Sequence, residues 1–179
     1  MNFLGVGACQ HQCPDFSGFC RAAVTLDDEE FYFAKRLYHC NLLWGFEELS
    51  LDEKTLASLP KVVLAAFVEM LTKGQAFLFE DCCYSHPVDS RDACIGNNIW
   101  NKPEELNEIL MQNEAFVQYR KNRVTVKIGE ICVESESTPK AVAIALIKHK
   151  IAFDKLLVPK RFALCNATFY LEGNTVKYR

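Results

Sequence analysis

No apolar run in this 179-residue chain approaches the ~20 residues that a membrane-spanning helix needs. The longest, Val62 to Leu71, is interrupted by Glu69, so no membrane partner is expected. The opening stretch, Met1 to Ala8, is apolar but carries no Lys or Arg, and Gln10-His11-Gln12 follows it directly. That is a poor secretory leader, so the chain is expected in the cytoplasm with its thiols reduced. Glycine and proline are sparse, at eight and six residues, and nowhere cluster into a linker. With no internal repeat and no low-complexity run, one domain over residues 1–179 is expected. Gly5 and Gly7 supply two of the three glycines of a dinucleotide fingerprint, no βαβ pattern follows them, and no phosphate-cradling lysine loop appears. Nucleotide hydrolysis and hydride transfer are therefore not expected.

What is present points to an ordered globular chain. Half the residues are apolar and about a quarter are charged, enough to build a core without a metal or a disulfide. Nine cysteines cannot all pair within one chain, and Cys40, Cys132 and Cys165, each among apolar neighbours, read as small core residues. Charge is unevenly spread. Residues 1–119 carry 8 Lys and Arg against 18 Asp and Glu, and residues 120–179 carry 12 against 5. The net values of −10 and +7 are hidden in the overall −3. A basic third suits an acidic partner or nucleic acid, or an attraction between the two parts of one chain.

The hydrophobic spacing predicts an α+β fold: a helical N-terminal two-thirds, about 1–119, packed with a small antiparallel sheet of β-hairpin, helix and β-hairpin over 120–179. Acidic residues at 27–30 lead into a helix carrying Phe31, Phe33, Ala34, Leu37, Tyr38, Leu42 and Phe46. Ser50 and Glu53 have capping-box spacing. Ser58 and Pro60 precede a central helix from Val62 that Gly74 is placed to end. The stretch from Glu80 to Trp100 is rich in turn formers, and a helix restarting at Pro103 runs to about Tyr119 with Leu106, Ile109, Leu110 and Phe116 inward. Beyond it, Gly129-Glu130 and Gly173-Asn174 mark two hairpins, with a helix opening at Ser137-Thr138-Pro139 between them.

Three constellations carry candidate chemistry. Cys9, His11, Cys13 and Cys20, followed by His39 and Cys40, are thiolate and imidazole ligands of the kind zinc prefers, so zinc is the one cofactor considered, although no Cys-x-x-Cys pair is present. The segment from Cys82 to Cys94 holds Cys83, His86 and Asp89, the residue types of a thiolate nucleophile, its base and an orienting carboxylate. Arg120, Lys121, Arg123 and Lys127 beside the first hairpin offer phosphate contacts, with Tyr119 or Tyr178 able to stack on bases. No catalytic set is complete by motif, whereas the charge segregation is a plain count. The sequence therefore favours a binding or adaptor protein acting through a macromolecular partner, another protein first and nucleic acid second. A small cysteine-dependent enzyme or zinc-binding protein using the Cys9–Cys40 or Cys82–Cys94 cluster is the alternative.

Overall fold

The computed structural model describes residues 46–79, 82–85, 96–160, 162 and 167–178. Nine strands and four α-helices lie within them: β1 (Phe46–Ser50), α1 (Glu53–Ser58), α2 (Lys61–Lys73), β2 (Ala76–Phe79), β3 (Cys82–Tyr84), α3 (Pro103–Gln112), β4 (Phe116–Arg120), β5 (Arg123–Ile128), β6 (Ile131–Ser135), α4 (Thr138–Lys150), β7 (Lys155–Pro159), β8 (Ala167–Glu172) and β9 (Thr175–Tyr178). A mixed sheet runs in the order β1-β7-β9-β8-β2-β3, and a second sheet in the order β4-β5-β6. Among the described strands only the β7–β9 pair, at Leu157 opposite Thr175, is parallel.

Two helices separate the sheets. α2 packs on β2, β3 and β8 of the larger sheet and, on its other side, against α4, which covers β5 and β6. A helix clad on both sides has no water-facing stripe, and the sequence shows it. Val62 through Met70 of α2 and Ala141 through Ile147 of α4 are all buried. Phe67, Phe162 and Phe169 join in edge-to-face contacts, with ring centroids 5.7 and 4.6 Å apart. Among the described residues one charge enters this core. Glu69 of α2 is buried, and Lys73 one turn on lies 3.3 Å from its Oε2 and 3.1 Å from Glu105 of α3, which Lys102 holds at 3.0 Å. Among the described residues Glu69 Oε2 accepts no hydrogen bond, and the ion pair with Lys73 compensates it. Burial works against the Lys73 charge, but the hydrogen bond to Glu105 and the charges of Glu69 and Glu105 outweigh it and raise its pKa.

This arrangement corrects the expected architecture. Four strands, β1 to β4, lie before residue 120 or end at it, so the first two-thirds is not a helical unit. The C-terminal elements do not form a small sheet of their own either. The β5–β6 hairpin belongs to the three-stranded sheet, whereas β8–β9 lies inside the six-stranded one between β7 and β2. Both α and β elements are present, but the strands are spread along the chain.

The helix expected from Phe31 lies outside the described residues except at its end, where Phe46 begins a strand. Because β1 runs through Ser50, paired to Lys155, Ser50 cannot cap. Asp52 caps α1 instead, accepting from the Thr55 amide at 2.9 Å and the Thr55 hydroxyl at 2.6 Å, while Ser50 Oγ donates to Asp52 Oδ2 at 2.7 Å. Those bonds hold the Asp52 carboxyl well below the usual carboxylate range. Ser58 closes α1 by donating to the Thr55 carbonyl, and Pro60 is the N-cap of α2. Gly74 ends α2 at φ 81°, as its position implies. α3 stops at Gln112, well short of Tyr119, because Asn113 and a left-handed Glu114 turn the chain into β4.

Candidate functional site

Strand register sorts the three-stranded sheet into two faces, since residues directly opposite each other share a side. Val126 pairs with Val133, Ile128 with Ile131 and Val124 with Ser135, and the buried members of this set face α4. The opposite face carries three rows: Phe116, Lys127 and Cys132; Gln118, Thr125 and Glu134; and Arg120 with Arg123. Among the described residues no helix or strand packs over that outer face. All four residues of the expected basic set, Arg120, Lys121, Arg123 and Lys127, are exposed here, with Lys121 in the two-residue turn that joins β4 to β5.

The electrostatics of the face are not balanced internally. Arg120 and Arg123 sit directly opposite each other, a like-charge cross-strand pair that lowers hairpin stability. Arg123 Nε lies 3.6 Å from Glu134 Oε1. Among the described residues no carboxylate forms an ion pair with Arg120, Lys121 or Lys127. The attraction expected between the acidic and basic parts of the chain operates elsewhere, at Lys155 with Glu48 (2.8 Å) and Lys148 with Glu53 (3.9 Å).

The face ends in an open depression of about 410 Å³ bounded by Gln112, Asn113, Glu114, Phe116, Lys127, Gly129, His149 and Lys150. The turn after α3, the start of β4 and the last turn of α4 meet there. Gly129, at φ 56° in the hairpin turn, approaches His149 so closely that a Cβ would lie 3.1 Å from its ring.

Helical spacing places Phe116 on the inner face of a helix. It is instead 62% exposed on the outer face of the sheet, and sequence reasoning misses its part in the site together with those of Gln118 and Thr125. The alternation of Phe116-Val117-Gln118-Tyr119-Arg120 and the turn-forming Asn122 after it are the available signals. Tyr119, 73% exposed, pairs with Val124 on the other side of the sheet, with its hydroxyl 3.4 Å from Thr138 Oγ1.

The other two constellations are placed only in part. Cys9, His11, Cys13 and Cys20 lie outside the described residues, as do His39, Cys40, His86, Asp89 and Cys94. Among the described residues no group of three or more His, Cys, Asp or Glu side chains could hold a metal ion. Cys83 is described, and it is fully buried on β3. Burial and then the nearby Glu69 charge push its thiol pKa far up, which holds it as the neutral thiol, whereas nucleophilic attack needs the thiolate. Its neighbour Cys82 is half-buried, and Cys132 is exposed beside Lys127 on the outer face of β6, not in the core as its apolar neighbours imply. Brief alkylation of the native chain followed by mass spectrometry is thus expected to label Cys132 ahead of Cys82, and Cys83 only on unfolding. Fast labelling of Cys83 in the native chain would restore it as a candidate nucleophile.

Among the described residues no helix is long and apolar enough to cross a membrane. No protein-family model, curated protein or solved structure matches the chain.

Proposed function

We propose that this chain is a binding module that holds a polyanionic macromolecule, a single strand of nucleic acid, on the outer face of β4-β5-β6. The observation that supports this most is the placement of Arg120, Arg123 and Lys127 on one sheet face that no described element covers, with Lys121 in the turn at its end and the exposed ring of Phe116 in the same row as Lys127. Cations there gain by releasing counterions from phosphates, and a ring among them stacks on bases of any sequence. The Arg120–Arg123 opposition, unfavourable in the free protein, becomes favourable once a phosphate sits between the two guanidinium groups.

The sequence by itself favours another protein as the partner, and an acidic protein segment would answer the same charges. It would make less use of a flat exposed ring beside Lys127, so nucleic acid is the better fit. The cysteine-enzyme alternative draws no support from a Cys83 that is buried and neutral.

Fluorescence anisotropy with a labelled oligo-dT strand, and separately with a labelled polyglutamate peptide, tests the reading. The oligonucleotide is expected to bind and to weaken as salt rises. Every phosphate of a single strand that the protein neutralises adds about 0.7 to the steepness of log affinity against log salt, so the pair Arg120→Ala and Arg123→Ala together should flatten the slope by about 1.4. Phe116→Ala should weaken binding by about 1–3 kcal/mol with little change in the slope. Binding of polyglutamate in preference to oligo-dT would make the partner an acidic protein. Binding of neither would remove the face as a polyanion site.

A further inference from the structure

Among the described residues β4 is an edge strand, uncovered on its outer face and along its free edge. Among the described residues it pairs with β5 alone, and the helix that covers the inner face of β5 and β6 does not cover it to a comparable extent. None of its five residues is buried. Exposed large apolar side chains concentrate around it. Of six such residues among those described, Met111, Phe116 and Tyr119 fall within nine positions. The edge also lacks the devices that keep strands apart. Phe116-Val117-Gln118-Tyr119-Arg120 has no proline, its register with β5 runs without a bulge, and its one charge stands at the end and on the outer face.

We infer that β4 pairs with β4 of a second copy of this chain, antiparallel about a twofold axis through Gln118, so that two three-stranded sheets become one of six strands. The segment is self-complementary in that register. Gln118 meets its own copy, and each glutamine amide can donate to and accept from the other. On the outer face Phe116 stands opposite Arg120 of the second copy, and again by symmetry, in reach of a guanidinium–ring contact. On the inner face Val117 stands opposite Tyr119 of the second copy, a β-branched residue against an aromatic, among the better cross-strand pairs. A closed twofold contact uses the β4 edge of each copy once and so stops at two chains. A shift by one residue in either direction would set outer-face side chains against inner-face ones.

The inference does not depend on nucleic-acid binding and is measured without it. Sedimentation equilibrium of nuclease-treated full chain is run at about 0.15 M salt, where the Debye length of ~8 Å still exceeds the ~5 Å between directly paired residues. The expected mass is twice the 20.4 kDa of the chain. Gln118→Lys, which sets two like charges face to face on the axis, should raise the dimer dissociation constant by about tenfold or more and leave the melting temperature of the monomer unchanged. Gln118→Thr, a strand former without charge, should remain dimeric. A wild-type chain that stays at 20.4 kDa up to about 100 μM overturns the inference. Association of Gln118→Lys as tight as wild type, or a mass that keeps growing past two chains, overturns it as well.

Discussion

Replacing Phe169 with alanine is expected to destabilise the protein by about 3–5 kcal/mol, the range for removing a fully buried aromatic from a packed core. Phe169 has no exposed surface and stands in the middle of the six-stranded sheet, opposite Ala76 on β2 and Tyr178 on β9. Its ring meets the edge of Phe162 at 4.6 Å, and Phe162 in turn meets Phe67 of α2 at 5.7 Å. The truncation thus empties the junction between sheet and helix. In a chain of this size each kcal/mol moves the melting temperature by about 2–4 °C, so thermal unfolding followed by circular dichroism should show a drop of roughly ten degrees. A drop of only one or two degrees would mean that the three rings do not form the centre of the core.

Gly96→Ala should be nearly as damaging for a different reason. A Cβ at position 96 would lie 2.8 Å from the Cβ of Cys82 and 2.9 Å from the Tyr84 ring. The first of these atoms is fixed to the strand backbone and cannot swing aside. The segment that follows is tied down by hydrogen bonds. Asn97 donates its backbone amide to the Cys83 carbonyl at 2.6 Å and accepts from the Cys83 amide at 3.1 Å, and Asn98 donates to the Ala65 carbonyl in α2 at 2.9 Å. Relief of the clash would therefore strain buried hydrogen bonds, and a cost of about 3 kcal/mol is expected, the upper end for overpacking. Gly74→Ala is the comparison. Gly74 has a left-handed backbone but nothing within 4 Å of its would-be Cβ, so the loss there should be about 1 kcal/mol. Equal losses at both glycines in denaturant titrations would show that backbone conformation, and not the packing of residue 96 on β3, sets the cost.

Where the chain announces its turns chemically, the sequence is readable. Gly74 after α2, Gly129-Glu130 between β5 and β6, Gly173-Asn174 between β8 and β9, and the prolines opening α3 and α4 all stand where the spacing implies. The strands that escape sequence reading are those whose turns carry no such mark. α3 passes into β4 through Asn113 and Glu114, and a glutamate at φ 48° is a left-handed residue that no propensity would nominate. Helical spacing therefore runs on to Tyr119 and takes Phe116 out of the site. β2 is four apolar residues and β3 three, too short for a periodicity to show. β7 does alternate, with Leu156 and Val158 buried on either side of an exposed Leu157, but it ends in a proline and is paired by segments distant in sequence, β1 and β9.

Of the candidate site, the cations are legible because charge can be counted. Composition and position alone single out Arg120, Lys121, Arg123 and Lys127. Their common face is not legible, because it depends on β4 being a strand in register with β5. The opposition of Arg120 and Arg123 likewise exists only once that register is known. Cys83 shows the reverse case. Its sequence neighbours suggest reactivity, and burial against the Glu69 side of α2 supplies the opposite environment.

Chemical-shift mapping by ¹H–¹⁵N NMR, as oligo-dT is titrated into the chain, most directly tests the account of the basic face. Shifts should gather on Phe116–Arg120 and Arg123–Ile128 and on Cys132 and Glu134 of β6, and leave the amides of β7, β8 and β9 unmoved. Shifts centred on the six-stranded sheet, or none between residues 116 and 134, would contradict it.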